Sequence, residues 1–464
     1  MDSLARLLHA RVSWRMLMDK LILVTGATGY IASRLIPRLL DHAYRVRCLA
    51  REPLRLKGRS WSRHGEVIQA DVTTPSTLAH ALDGVHTAYY LIHNMTFGHG
   101  YTTLELESAR AFASAAEEAG VEHIIYLGGL ADPEQHIAPH MRSRIETGKV
   151  LREGKVPVTE FRAGVITGSG SISFEMIRFM TELFPIVPGP WWMKNKSQPI
   201  AIQNVIDYLL AALTNPNGRG GVFEIGGPDI ATYGDLMLRY ARIRGLKRRM
   251  ILLPGIPLWF MAFGVGLITP VPYPIAYALI DGLSADSIVK HPEALKIFSE
   301  VKLVDFDSAT KGALEKTHPT HIERVWDEGR DLGSLSRHSP NDEVWVTLKH
   351  EGCFVDHREV VVNAEPTKVL RAITELSEKQ NWIVEVNETN QRILVCVKNQ
   401  IAGEKWIDWR VTPSHAASVT YLAQTVFFSP RGLPGFLYWY LLYPFHLISF
   451  RGLIRAIAKQ SEAQ

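Results

Sequence analysis

The chain has 464 residues, 46% of them hydrophobic and 21% charged, with a formal net charge of +4. That length exceeds one ordinary domain and predicts two or three, and the composition is that of a globular protein. The small charge, with no long basic run, gives no reason to expect a nucleic-acid partner.

Residues 1–19 form an N-terminal extension that carries Arg6, Arg11 and Arg15. It has no apolar core long enough for a signal peptide and reads as an amphipathic or disordered lead-in. From Lys20 to about Gly168 strand-like and helix-like segments alternate. The strands are Leu21–Val24, Arg45–Ala50, Glu66–Ala70, Thr87–Ile92, His123–Leu127 and Val158–Arg162. Helical periodicity fills Ile31–Leu40, Ser76–Leu82, Thr103–Ala119 and Met141–Arg152. Repeated strand–helix units predict an α/β fold with a doubly wound parallel Rossmann sheet. Its ligand is expected at the carboxyl ends of the strands.

The first strand is an unbroken apolar run, Leu21 to Val24, as befits a strand buried on both faces. Gly26-x-x-Gly29-x-x-Ala32 follows and opens a helix. Gly26 permits a tight turn, Gly29 lets backbone approach a pyrophosphate, and Ala32 is small enough for close helix packing. With Thr28, Tyr30 and Ile31 in the same turn, these are the first cofactor-binding candidates; a tight turn without a ligand is the alternative.

Further candidates stand at later strand ends. Arg51 follows the second strand, where an acidic residue would hold a ribose hydroxyl and arginine suits a 2′-phosphate; NADP(H) is therefore preferred, with NAD(H) second. Asp71 and Val72 follow the third strand, where a carboxylate can accept from adenine or cap the next helix. Leu91 and His93 end the fourth and are expected beside the cofactor's ribose and nicotinamide; His93 is expected to be satisfied by local backbone, contact with substrate being the alternative.

These features resemble the extended and atypical short-chain dehydrogenase/reductase superfamily, near its NmrA-like branch. TGATGYIA, RVRCLARE, QADV, AYYLIH, IIYLGGL and VPVTEFRAGVITGSGS carry the resemblance, followed by QPIAIQNVIDYLLAAL and VFEIGGPDIATYGDLMLRYARIRG. It covers Lys20 to about Lys316 and implies an NAD(P)-binding domain. Active members use a serine and a Tyr-x-x-x-Lys pair. Here the tyrosine position falls on His140, the lysine on Arg144 and the serine on Gly128-Gly129. His140 is expected to relay a proton near neutral pH, and Arg144 to bind ribose or phosphate. The other reading is a cofactor-binding fold whose usual chemistry is lost.

Gly168-Ser169-Gly170-Ser171 follows the sixth strand and is expected either near the nicotinamide or as a plain loop; Trp191 and Trp192 either wall a ligand site or cap a core. Ile251 to Ile280 contains no charged residue, but Pro254, Pro257, Pro270, Pro272 and Pro274 interrupt it. It is expected to line a substrate lobe, with peripheral membrane contact, rather than to span a bilayer.

A boundary is expected from Thr317 to Asp342, giving a dehydrogenase-like domain over 20–330 and a second domain over 343–464. The second reads as a strand at Glu359–Pro366, a helix at Thr367–Ser377, strands at Trp382–Val386, Ile393–Val397, Trp406–Val411 and Val419–Phe428, and a closing helix from Gly435 to Ala458. VDHREVVVNAEPTKVLRAI and SPRGLPGFLYWYLLYPFHLISFRGLIRAIAK resemble DUF2867, of the START/polyketide-cyclase type, which implies an α+β helix-grip fold enclosing a hydrophobic ligand. The closing helix reads as a core helix, with its late cations suited either to acidic headgroups or to the helix terminus. Three scattered cysteines, Cys48, Cys353 and Cys396, fit buried thiols in a reducing compartment, so the expected location is cytoplasmic, with membrane association.

Two functions stay open. One is an NAD(P)H-dependent oxidoreductase acting on a hydrophobic small molecule. The other is a non-catalytic NADP(H)-sensing or scaffold protein with a C-terminal lipid-binding domain.

Overall fold

The computed structural model describes residues 20–56, 59, 61–62, 64–93, 101–132, 134–135, 137–268, 273–316, 318–321, 344–346, 353–388, 391–397, 403–413 and 419–463. The extension over 1–19 and most of the expected boundary segment lie outside these residues. The chain divides into two compact units, one of residues 1–178, 187–244 and 249–313, the other of residues 179–186, 245–248 and 314–464.

The first unit is built on a seven-stranded parallel sheet. Its strands are β1 (Leu21–Val24), β2 (Arg45–Ala50), β3 (Glu66–Gln69), β4 (Val85–Tyr90), β5 (His123–Gly129), β6 (Val158–Ala163) and β7 (Val222–Ile225). Their order across the sheet is β7-β6-β5-β4-β1-β2-β3. The order reverses at β1, which therefore lies at the switch point where such sheets bind ligands. Ile22 and Val24 enter one apolar core and Leu21 and Leu23 the other, so β1 is buried on both faces as its unbroken apolar run requires. Helices Ala32–Asp41, Tyr101–Glu118, Pro139–Glu153 and Ile202–Thr214 supply the crossovers. The proline-interrupted apolar stretch forms two helices, Leu258–Ile268 and Tyr273–Gly282.

The second unit is α+β. Six antiparallel strands run in the order Val344–Val346, Phe354–Val362, Thr420–Pro430, Gly403–Pro413, Arg392–Val397 and Ile383–Glu388. The helices Pro366–Lys379 and Gly432–Ala463 accompany them. Trp439 of the long closing helix stacks on Phe354 at 5.2 Å and on Phe428 at 5.4 Å, fixing that helix against one sheet face. On the same face Arg358, almost wholly buried, pairs with Asp356 through two hydrogen bonds of 2.7 and 3.0 Å.

Candidate functional site

The glycine turn leads directly out of β1. Gly26 adopts φ +62°, a conformation that favours glycine, and a Cβ there would lie 2.9 Å from the Leu91 carbonyl oxygen. The Gly29 amide donates to the Gly26 carbonyl at 2.7 Å, and a Cβ on Gly29 would meet that oxygen at 2.9 Å. Thr25 ties the turn to the neighbouring strand, its hydroxyl accepting from the Leu91 amide at 3.0 Å. The helix that follows has no side-chain cap at Ile31 and no carboxylate in its first turn. An uncapped helix N-terminus with no competing anion is a diphosphate site in waiting, so the residues present fit a dinucleotide.

A cavity of about 250 Å³ opens beside this turn at the carboxyl ends of β1, β4, β5 and β6. Tyr30, Ile31 and Leu91 line it, and so do His93, His140 and Arg144. The other predicted cofactor residues, Gly26, Thr28, Gly29, Arg51, Asp71 and Val72, are not part of its lining. Arg51 is exposed just beyond β2, and the Gln69 side chain donates to its carbonyl at 3.2 Å. The Asp71 carboxylate accepts from the Thr73 amide at 3.0 Å, a local turn that precedes the helical segment without capping it. Val72 is buried.

The helix Pro139–Glu153 brings His140 and Arg144 to the cavity one turn apart. Arg144 donates from Nε to His93 Nε2 at 3.0 Å, and His93 Nδ1 meets Glu105 Oε1 at 2.8 Å. Arginine has no acceptor, so His93 Nε2 must accept, and the Nδ1 proton goes to Glu105. His93 is thus a neutral imidazole of fixed tautomer, its pKa lowered by burial and then by Arg144. Both ring nitrogens are taken by side chains, which corrects the expectation that local backbone satisfies them. Burial alone would raise the Glu105 carboxyl. Hydrogen bonds from His93 and Ser143, with the Arg144 charge, bring it below its usual value.

His140 is a second correction. Burial, then the Arg144 charge and His93, lowers its pKa to about 3. It is therefore a neutral imidazole throughout the physiological range and does not relay a proton by titrating near pH 7. Its ring lies against the glycine of the helix Tyr273–Gly282, where a Cβ on Gly282 would come within 3.0 Å of His140 Cε1. Among the described residues its Nδ1 has no hydrogen-bond partner.

The glycines at the end of β5 explain how Arg144 reaches this place. A Cβ on Gly129 would lie 2.6 Å from Met141 Cε and 3.1 Å from Arg144 Cδ. A serine there would displace the end of the Met141 side chain and crowd the arginine stem. Tyr126 reinforces it, its hydroxyl donating to the Arg144 carbonyl at 2.8 Å. Of the later loop, Ser171 lines the cavity, and the Ser169 carbonyl accepts from Arg34 at 2.8 Å. Neither Trp191 nor Trp192 lines it; Trp191 is exposed with Lys194 over its ring.

Glu105 was not among the predicted residues. Its signal was present, because it shares one helical stripe with the buried Ala109, Phe112 and Ala116, where a carboxylate needs a partner.

Comparison with known proteins agrees with this geometry. Residues 18–217 match the NmrA-like family and residues 380–453 match DUF2867, a protein family of unknown function. A (4-alkanoyl-5-oxo-2,5-dihydrofuran-3-yl)methyl phosphate reductase from Streptomyces griseus is 28% identical over 275 residues, covering 56% of this chain and 85% of that protein. Photosystem II assembly factor Ycf39 from Cyanophora paradoxa is 25% identical over 241 residues, covering 50% of this chain and 71% of its own. The structure of Citrobacter sp. triphenylmethane reductase complexed with NADP(H) superposes with a TM-score of 0.52 at 20% identity, over 63% of this chain and 99% of that one. The chain thus joins an NmrA-like domain of short-chain dehydrogenase/reductase fold to a C-terminal DUF2867 domain.

Proposed function

We propose that this chain is an NADP(H)-dependent reductase of a hydrophobic conjugated carbonyl compound, such as a quinone or an enone. One observation carries the reading: a permanent cation, Arg144, faces a largely apolar cavity beside an uncapped glycine turn. The glycine turn would hold the diphosphate, and Arg51 would hold a 2′-phosphate. A bound nicotinamide supplies the hydride.

Arg144 then stabilises charge on the substrate oxygen, as the phenol's hydrogen bond does elsewhere in this superfamily, without supplying the proton. Its Nε is engaged by His93, and among the described residues its two Nη groups have no protein partner. They are free to donate to a substrate oxygen and to stabilise the negative charge that develops there. Glu105 and His93 hold the guanidinium still, so little reorganisation is needed. Arginine does not give up a proton at neutral pH, and neutral His140 is a poor acid. The product oxygen therefore takes its proton from water. That suits an enolate or hydroquinone anion, which needs no strong local acid, better than the alkoxide of a simple ketone. The Streptomyces relative, named for reducing an alkanoyl-oxo-dihydrofuran phosphate, is consistent with this class.

Anaerobic incubation with NADPH and a quinone or enone tests the proposal; stoichiometric NADPH oxidation supports it. The sensor or scaffold reading keeps one observation in its favour, the non-titrating His140 at the phenol position. Tight NADPH binding without oxidation by any member of such a panel would favour it.

A further inference from the structure

We propose that the chain docks on the surface of anionic lipid bilayers, through the helical pair in the first unit and through the closing helix in the second. The helix Leu258–Ile268 and all but the last two residues of the helix Tyr273–Gly282 lie in the charge-free stretch from Ile251 to Ile280, with Asp281 directly after it. Their inner positions Ala262, Val265, Ala276 and Ile280 are buried, whereas Trp259, Phe260 and Phe263 are each 57% exposed, and Tyr273 and Tyr277 are exposed as well. Three aromatic rings at that exposure form a patch that water disfavours and that a bilayer interface accepts. Exposed Lys247 and Arg249 stand just before the stretch in sequence, where they complement acidic headgroups. The second helix of the pair also borders the substrate cavity, through Leu279 and Gly282. One element thus contacts both the cavity and the proposed lipid, a route for a hydrophobic substrate to leave the bilayer.

The closing helix repeats the pattern independently. Leu437, Leu441, Phe445 and Ile448 recur at helical spacing and are exposed, the last by 73%. Exposed Arg455 and Lys459 continue the same face. The helix is long and apolar enough to cross a bilayer by composition, yet only 17% of its most apolar window is buried. Its opposite side, through Trp439, Phe450 and Ile454, is committed to the sheet. A helix held on one side by its own domain lies on a membrane and does not span it.

Co-sedimentation of the full chain, without nucleotide, with vesicles of phosphatidylcholine alone or with about one-third phosphatidylglycerol tests this. The wild type should bind the anionic vesicles and be released by salt. Trp259→Ser/Phe260→Ser/Phe263→Ser should bind roughly tenfold more weakly, Phe445→Ser/Ile448→Ser should weaken independently, and Trp191→Ser should not change. Retained NADPH binding shows that each variant is folded. No sedimentation of the wild type, or equal sedimentation of the triple variant, overturns the proposal. A dimer that the triple variant abolishes, without vesicle binding, assigns the face to a second copy and overturns it too. The assay involves no turnover, so its failure is distinct from failure of the reductase reading.

Discussion

Arg144 Nε and His93 Nε2 lie 3.0 Å apart, joining the helix Pro139–Glu153 to the segment after β4 across 51 residues of sequence. The bond orients a guanidinium that would otherwise rotate. Arg144→Lys keeps the charge but loses the planar edge and the Nε donor, so kcat/KM should fall roughly ten- to a hundredfold. Arg144→Met should cost roughly a hundred- to a thousandfold. NADPH affinity should stay near wild type in both. His93→Phe should lower kcat with little change in KM, and in the double variant with Arg144→Met it should add almost nothing. Additive losses in that cycle, measured by steady-state kinetics, would separate the two residues.

His140 and His123 are buried, with pKa values pushed down to about 3 and about 4. Both fall below the ordinary histidine value of about 6.5, so the unfolded chain takes up protons first as pH drops. Their contribution to stability is complete above about pH 6.5 and is lost as pH falls through the folded values. Thermal unfolding should therefore move to lower temperature from pH 6.5 towards pH 4, and His123→Gln should flatten part of that slope. The activity profile should behave differently. Between pH 6 and 8, kcat/KM of His140→Gln should keep the shape of the wild-type curve, and loss of a single ionisation in that range would restore His140 as a proton relay.

Gly26 combines φ +62° with a Cβ position 2.9 Å from the Leu91 oxygen. Gly26→Ala should both strain the turn, by about 1–2 kcal/mol, and push it away from β4. Nucleotide affinity, followed by quenching of protein fluorescence, should drop at least tenfold while the fold survives in circular dichroism. An unchanged affinity would detach the turn from the cofactor.

Arg51 makes no side-chain hydrogen bond among the described residues and stands exposed at the end of β2. Arg51→Glu should weaken NADP⁺ more than NAD⁺, reversing any preference between them. Calorimetric titration with both nucleotides measures this; equal weakening would remove Arg51 from the 2′-phosphate site.

Much of the fold was legible because its signals are local. β1 and β2 have the expected limits, and the glycine turn follows from spacing alone. β4 begins two residues earlier than expected and ends at Tyr90, because Leu91 to His93 leave the ladder to line the cavity. β7 was not assigned as a strand, since four residues beside a glycine pair give too short a pattern; its pairing with β6 defines it. In the C-terminal unit the strand ending at Val362 starts at Phe354, earlier than expected, because polar Asp356, His357 and Arg358 hid a buried segment. The site was legible only in part. His140 and Arg144 could be placed by spacing, but the Arg144–His93–Glu105 chain joins three separate segments. Nor does the sequence record how deeply His140 is buried, and burial sets its pKa.

The most direct test is anaerobic single-turnover oxidation of NADPH with a matched pair of hydrophobic substrates, a conjugated enone and its saturated ketone. Wild-type protein should oxidise NADPH with the enone, leave the ketone almost untouched, and lose the enone reaction in Arg144→Met. NADPH that binds and stays reduced with both, or an Arg144→Met variant as fast as wild type, would contradict a reductase built around this arginine.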